Sequence, residues 1–396
     1  MISSLGGLGA NVEAGAAWLV FGKTTAFNAS LDLATLDGSN GVRLNGNGTE
    51  NLGRSVSSAG DINGDGINDL VIGAFHADGS AGASYVLFGK NTPFDATLDM
   101  STLNGSDGFR LSGQAAGDLS GISVSKAGDV NGDGIDDLLI GAREAQGKAG
   151  SAYLLYGKQT PFAADLALGA LNGIDGMRLD GVAGDLVGVA VTGAGDVNGD
   201  GYDDIVIGAQ EAQSGAGSAY LFFGGNFSSA VTFQGTSKAE TLTGSASGEV
   251  FIAGVGSDTI HTGGGPDVVH AGAGDDLISV SDFDFRLIDG GGGIKDIIKL
   301  TGSGMDFDVT SIGHRLRSLE IIDIIGTGDN SITINASNVL QLSPVTNSIN
   351  INGNTGDAVH LVGSWTAGTP STSGQTWVSG QSIVVVSAGV VIDRIG

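Results

Sequence analysis

The sequence predicts an all-β protein in three successive parts: β-propeller blades over residues 1–232, a parallel β-roll over 233–300 and a β-rich region over 301–396. Three observations carry this expectation. A unit of about 67 residues recurs in register through the first part. A nine-residue period takes over near residue 235. Apolar residues fall throughout in runs of four to seven bounded by Gly, Asn and Asp, the punctuation of strands, and the best helical stretch is short, at Ser337–Leu342.

The long repeat is written in three series. GAAWLVFGK begins at Gly15, GASYVLFGK at Gly82, GSAYLLYGK at Gly150 and GSAYLFFGG at Gly217, spaced by 67, 68 and 67 residues. NGVRLNG from Asn40, DGFRLSG from Asp107 and DGMRLDG from Asp175 keep the same period. So do SVSSAGDINGDGINDLVIGA, SVSKAGDVNGDGIDDLLIGA and AVTGAGDVNGDGYDDIVIGA. Each unit holds four short strand candidates, in the second unit SYVLFG, GFRLSG, ISVSKAG and DLLIGA. A four-stranded unit repeated in tandem reads as a propeller blade, because solenoid turns are shorter. Three full units follow a partial one, fewer than the roughly four to eight blades of a closed propeller. Either the chain is the C-terminal piece of a longer product, or the propeller is a compact or open one of three to four blades.

The short repeat runs GTSKAETLT, GSASGEVFI, AGVGSDTIH, TGGGPDVVH and AGAGDDLIS, starting at Gly235, Gly244, Ala253, Thr262 and Ala271. Position six is acidic in every row (Glu240, Glu249, Asp258, Asp267, Asp276) and position eight apolar (Leu242, Phe251, Ile260, Val269, Ile278). Two rows make one 18-residue turn of a parallel roll, so each row stacks on the next but one and the position-eight side chains fill a thin interior. The segment Asp289–Leu300 reads as a sixth, interrupted row with Asp296. Beyond residue 303 the runs LEIIDIIG, NSITI, SININGN, DAVHLVG, QSIVVVS and AGVVIDRIG are again strand-like.

Composition narrows the chemistry. Asp and Glu outnumber Lys and Arg by 43 to 17, for a net charge of −26, which repels nucleic acid and anionic lipid and suits metal cations. With no cysteine there is no disulfide, thiolate nucleophile or Cys-ligated zinc, and metal is one way to stabilise such a chain. No run of 18 apolar residues predicts a transmembrane helix, and MISSLGGLGANVEAGAAWLVFGK lacks the basic and apolar regions of a signal peptide.

The candidate metal loops lie in the third series. In Asp61–Asp69, oxygen-bearing side chains fall at positions one, three, five and nine (Asp61, Asn63, Asp65, Asp69), and Ile67 at position seven offers a carbonyl. The same set recurs as Asp129, Asn131, Asp133, Ile135 and Asp137, and as Asp196, Asn198, Asp200, Tyr202 and Asp204. Calcium takes six to eight oxygen ligands of these types. Three carboxylates this close repel one another without a cation. The alternative is an Asp/Asn/Gly turn capping a hairpin; three copies in register argue against it. An EF-hand is excluded, since position twelve is Ile72, Ile140 or Ile207 where that loop needs Glu. No Cys or His stands nearby for zinc. In the nonapeptides, Asp258, Asp267 and Asp276 are expected to bracket calcium shared between stacked rows; Glu240 and Glu249 fit this less well.

These residues carry two resemblances. The long units resemble FG-GAP repeats, the blades of integrin α-subunit propellers and of bacterial surface proteins. Gly53, Gly121 and Gly188 keep that pattern's first Gly, although Leu52, Ser120 and Val187 stand in place of its Phe, and the closing Pro is replaced. The resemblance implies calcium ligands at loop positions one, three, five, seven and nine. Residues 235–300 resemble hemolysin-type (RTX) calcium-binding repeats, which implies type I secretion with an uncleaved C-terminal signal and an extracellular or cell-surface location. Residues 303–396 are similar to the β-rich tails of RTX adhesin-like proteins.

No HExxH or GxSxG pattern occurs, and FGK at Phe21–Lys23 and Phe88–Lys90 ends a strand without the spacing of a phosphate-binding loop. His261 and His270 end adjacent rows and belong on opposite sides of the roll, and Trp365 and Trp377 read as packing residues. The expectation is a non-catalytic, calcium-binding extracellular module with a protein or glycan ligand, whose folding is coupled to calcium. The alternatives are an accessory region of a secreted hydrolase and a structural surface-layer or matrix protein.

Overall fold

A computed structural model describes residues 2–4, 15–23, 26–368 and 374–395; the N-terminal stretch weighed above as a leader lies partly outside them. The chain is all-β and divides into two compact units. The first comprises Met1–Asn131, Ile135–Val197 and Asp203–Ser228; the second comprises Gly132–Gly134, Asn198–Tyr202 and Ser229–Gly396. Among the described residues no helix is long and apolar enough to cross a membrane.

The strands of the first unit are β1 (Ile2–Ser4), β2 (Ala16–Val20), β3 (Gly41–Asn45), β4 (Val56–Gly60), β5 (Asp69–Ala74), β6 (Ala83–Leu87), β7 (Thr97–Asp99) and β8 (Gly108–Ser112). They continue as β9 (Ser123–Gly128), β10 (Asp137–Ala142), β11 (Ser151–Leu155), β12 (Asp165–Ala167), β13 (Gly176–Asp180), β14 (Val187–Gly195), β15 (Asp204–Ala209) and β16 (Ser218–Phe222). The four sheets are β1-β2-β3-β7, β4-β5-β6-β8-β12, β9-β10-β11-β13 and β14-β15-β16. Within each, consecutive strands pair antiparallel as a meander, and β7 and β12 add in parallel to an outer strand. The innermost strands β4, β9 and β14 pack beside one another. This is the blade pattern expected from the 67-residue unit, with sheet boundaries that regroup the sequence series.

The cores lie between successive sheets. Val71, Val86 and Phe109 of one sheet meet Leu138, Ile140 and Tyr153 of the next, and Leu139, Ala152 and Leu154 meet Val191, Ile205 and Ile207. A strand sandwiched in this way has both faces apolar, which is why β6 and β11 are buried at every position rather than at alternate ones.

The second unit opens with β17 (Phe233–Gln234), β18 (Thr241–Thr243), β19 (Val250–Ile252), β20 (Thr259–His261), β21 (Val268–His270), β22 (Leu277–Val280), β23 (Leu287–Asp289) and β24 (Ile297–Leu300). Odd-numbered strands pair in parallel on one sheet and even-numbered strands on the other, so rows stack two apart. The even sheet continues in parallel through Ile321–Asp323, Ser348–Asn352 and Ser382–Ser387, and closes with antiparallel Gly374–Ser379 and Thr366–Ala367. A further parallel sheet joins Asp306–Asp308, Ser331–Asn335, Ala358–Val362 and Val391–Ile395. One apolar cluster runs from Phe251 to Val386, so the tail shares the sheet and core of the roll. Trp365 lies in that core and Trp377 packs against it. The helix α1 (Ala336–Leu342) starts at Asn335, whose side chain accepts from the Asn338 amide while the Asn338 side chain accepts from the Asn335 amide.

Candidate metal sites

Each blade loop joins the first two strands of its sheet, β4 to β5, β9 to β10 and β14 to β15. In the first, Asp61 Oδ1 accepts from the Asp65 amide at 3.0 Å and Asp61 Oδ2 from the Gly66 amide at 2.7 Å. Asn63 Oδ1 accepts from the Asp65 amide at 2.9 Å, and Asp65 Oδ1 from the Ile67 amide at 2.9 Å. The third loop repeats this from Asn198 to the Asp200 amide and from Asp200 to the Tyr202 amide, at 2.9 and 3.1 Å. The side-chain oxygens at positions one, three and five thus turn into the loop they belong to, a donor set made of oxygen alone, as calcium requires.

Position nine has a second task. Asp69, Asp137 and Asp204 are fully buried. One oxygen of each accepts from the position-two amide (Ile62, Val130, Val197) at 2.9 to 3.0 Å. The other accepts from the glycine after the third strand (Gly89, Gly157, Gly224) at 2.8 to 2.9 Å. Each carboxylate therefore clamps its loop to its sheet, and its part in a cation shell falls to the remaining lone pairs. Burial pushes the Asp69 carboxyl up to about 7 and raises that of Asp61 as well.

Sequence reasoning passed over position eight. The Asp136 Oδ2 accepts from the Asp61 amide of the preceding loop at 2.9 Å, and Asp203 Oδ2 from the Asp129 amide at 2.8 Å. Lys126 Nζ lies 2.9 Å from Asp136 Oδ1. Gly60 has φ +73°, and a Cβ there would stand 2.3 Å from Asp136 Oδ2; Gly128, at φ +86°, meets Asp203 Oδ2 in the same way. The Gly before the first and second loops is thus the clearance for the next blade's carboxylate, whereas Gly195 before the third loop faces open space. The signal was the second Asp in DGIDD and DGYDD, where the first loop has Asn68.

The roll arranges its acids as a ladder. Asp258 Oδ1 accepts from the Glu240 amide, Asp267 Oδ1 from Glu249, Asp276 Oδ1 from Asp258 and Asp296 Oδ1 from Asp276, at 2.6 to 2.9 Å. Glu320, unnoticed in the sequence, adds a rung by accepting from the Asp296 amide at 3.1 Å. The second oxygen of Asp258, Asp267, Asp276 and Asp296 is buried and accepts no hydrogen bond. A buried carboxylate oxygen with no donor is costly, so these four atoms fit a cation. Burial pushes Asp267, Asp276 and Asp296 up to about 7 and raises Asp258. Glu240 and Glu249 instead fold back on Thr236 and Ser245. Tight stacking comes from glycine: a Cβ on Gly272 would stand 1.9 Å from the Gly254 carbonyl one turn below.

Among the described residues no three acidic or histidine side chains converge on one point, so any cation must also draw on carbonyl or amide oxygens. His261 and His270 fall on different sheets.

Three segments, 52–87, 120–155 and 187–222, match the FG-GAP repeat model, and residues 252–282 match the RTX calcium-binding nonapeptide repeat. Each FG-GAP match spans the first three strands of a sheet and the loop between the first two. Relatives include integrin alpha-6 of Gallus gallus, 36% identical over 99 residues (24% of this chain, 8% of the relative). Integrin alpha-PS2 of Drosophila melanogaster is 37% identical over 126 residues (29% and 8%), and integrin alpha-PS5 of the same species 31% over 184 residues (44% and 16%). The chain spans less than a fifth of the length of these curated relatives.

Proposed function

For a chain that carries three FG-GAP repeats followed by RTX calcium-binding nonapeptides, we propose the role of a non-catalytic extracellular binding module that folds on calcium. The observation that carries this reading is the acid ladder, in which Asp258, Asp276 and Asp296 stack on one side of the roll and Asp267 lies on the other, each with a buried carboxylate oxygen that has no donor. Without a cation the ladder holds stacked negative charge in a desolvated place, which opposes folding. At the millimolar calcium found outside cells the charge is neutralised, and metal affinity becomes folding free energy.

Asp258, Asp267, Asp276 and Asp296 would hold the roll's ions together with glycine carbonyls. Positions one, three, five and seven of each blade loop would hold the others, with position nine bracing the loop. The calcium supplies charge neutralisation and cross-linking. The blades then present loops for a protein or glycan ligand, as such scaffolds commonly do. The oxygen-only donor sets and the acidic surface support calcium as the ion, and export by a type I route accords with the RTX segment.

The test is a calcium titration followed by circular dichroism and thermal melting, with and without chelator. Calcium is expected to raise the melting temperature and sharpen the β signal. An identical spectrum and melting temperature in chelator would refute the reading.

A further inference from the structure

The strand β16 has the sequence SAYLF, and its counterpart β11 has SAYLL. Yet β11 is buried throughout, whereas Tyr220 is 46% and Leu221 47% exposed. The difference is a missing neighbour. The corresponding strands β2, β6 and β11 each pair antiparallel with an outer strand, β3, β8 and β13. Among the described residues, β16 ends its sheet with no strand on its outer side.

The three completed edges state what fits there. The registers place Trp18 opposite Arg43, Tyr85 opposite Arg110 and Tyr153 opposite Arg178. The Arg43 guanidinium lies 5.6 Å from the Trp18 ring and that of Arg110 5.9 Å from the Tyr85 ring. The next residue inward pairs an apolar side chain with an apolar one: Leu19 with Val42, Val86 with Phe109, Leu154 with Met177. The amide after each of these strands (Phe21, Phe88, Tyr156) donates to the carbonyl before the outer strand (Asn40, Asp107, Asp175) at 3.0 Å. Carried to β16, this template sets Arg opposite Tyr220, an apolar residue opposite Leu221 and a carbonyl on the Phe223 amide. A cavity of about 330 Å³ lies beside Tyr220, walled by Leu179, Val182, Val187, Ile207 and Phe222, with Asp180 at its margin. It has room for an arginine stem, and the net charge of −26 favours a basic segment.

We propose that the outer edge of β16 docks an extended segment of another polypeptide with the pattern Gly–apolar–Arg–Leu, added antiparallel as the fourth strand of this sheet. Backbone pairing supplies the attachment, and the arginine over Tyr220 and the apolar contact with Leu221 supply the selection.

The probe is a dye-labelled peptide, NGSDGFRLSGQ, this chain's own residues 104–114, titrated by fluorescence anisotropy against the full chain in calcium. Saturable binding is expected. Replacing the peptide's arginine by alanine should weaken it about threefold or more, the scale of a cation–π contact. Leu221→Pro removes a donor on the free edge, where proline is tolerated, and should weaken binding about tenfold or more without altering the melting temperature. If that variant does not fold, a peptide N-methylated along the pairing edge makes the same cut from the other side and should not bind. No saturable binding at about 1 mM peptide, the weak end of specific recognition, overturns the proposal. Binding indifferent to both the arginine and the N-methyl groups overturns it, as does self-association of the chain through this edge with no uptake of peptide.

Discussion

At the scale of single residues, the blade loops divide their labour in a way that composition conceals. Five carboxylate and amide positions look alike in DxNxDGxDD, but position nine braces the loop, position eight reaches the preceding loop, and the first three oxygens face inward. Two substitutions separate these tasks. Asp133→Ala should lower the calcium stoichiometry by one site, read by isothermal titration. Asp136→Ala should leave the stoichiometry unchanged but lower stability by about 1–3 kcal/mol, the cost of removing the acceptor of the part-buried Asp61 amide and freeing Lys126. Equal loss of calcium in both variants would show that positions five and eight are not distinct.

At the scale of the element, the roll is a stack in which each turn is tied to the next by a carboxylate and filled by one apolar residue per row. Ile260 is fully buried between Leu242 and Ile278, its parallel neighbours. Ile260→Ala should cost about 2–5 kcal/mol, measured by denaturant titration in calcium. The ladder also predicts a pH dependence for the calcium-free chain. The Asp267, Asp276 and Asp296 carboxyls sit near 7 when folded, well above the ordinary carboxylate range. Between about pH 4 and 7 the folded form therefore binds more protons than the unfolded, and stability falls as pH rises through this window, levelling above it. In chelator the melting temperature should rise as pH is lowered from about 7.5 to about 5.5; a flat or opposite trend would show that these groups are not buried as charges. Saturating calcium should abolish the trend, since the ion replaces the protons.

At the scale of the whole molecule, the two compact units have separate cores. Cooperative melting follows the core, so calorimetry of the full chain in chelator should resolve two transitions, with calcium raising both. A single transition would show that the chain melts as one cooperative body. Much of this organisation was legible in the repeats. The 67-residue and nine-residue periods, the four strands per unit, the row stacking and the short helix near Ser337 all rest on local signals: alternating or continuous apolar runs, turn residues and periodic acids, which physics reads from a few neighbouring positions. What escaped the sequence depends on residues brought together by folding. The Asp136 contact spans 75 positions and the Asp203 contact 74. The Glu320 rung, the shared core of roll and tail, and the exposure of β16 beside its buried twin β11 are equally non-local. Burial and pairing belong to the neighbour a strand meets, and identical local sequences acquire different roles when one edge is covered and the other is not.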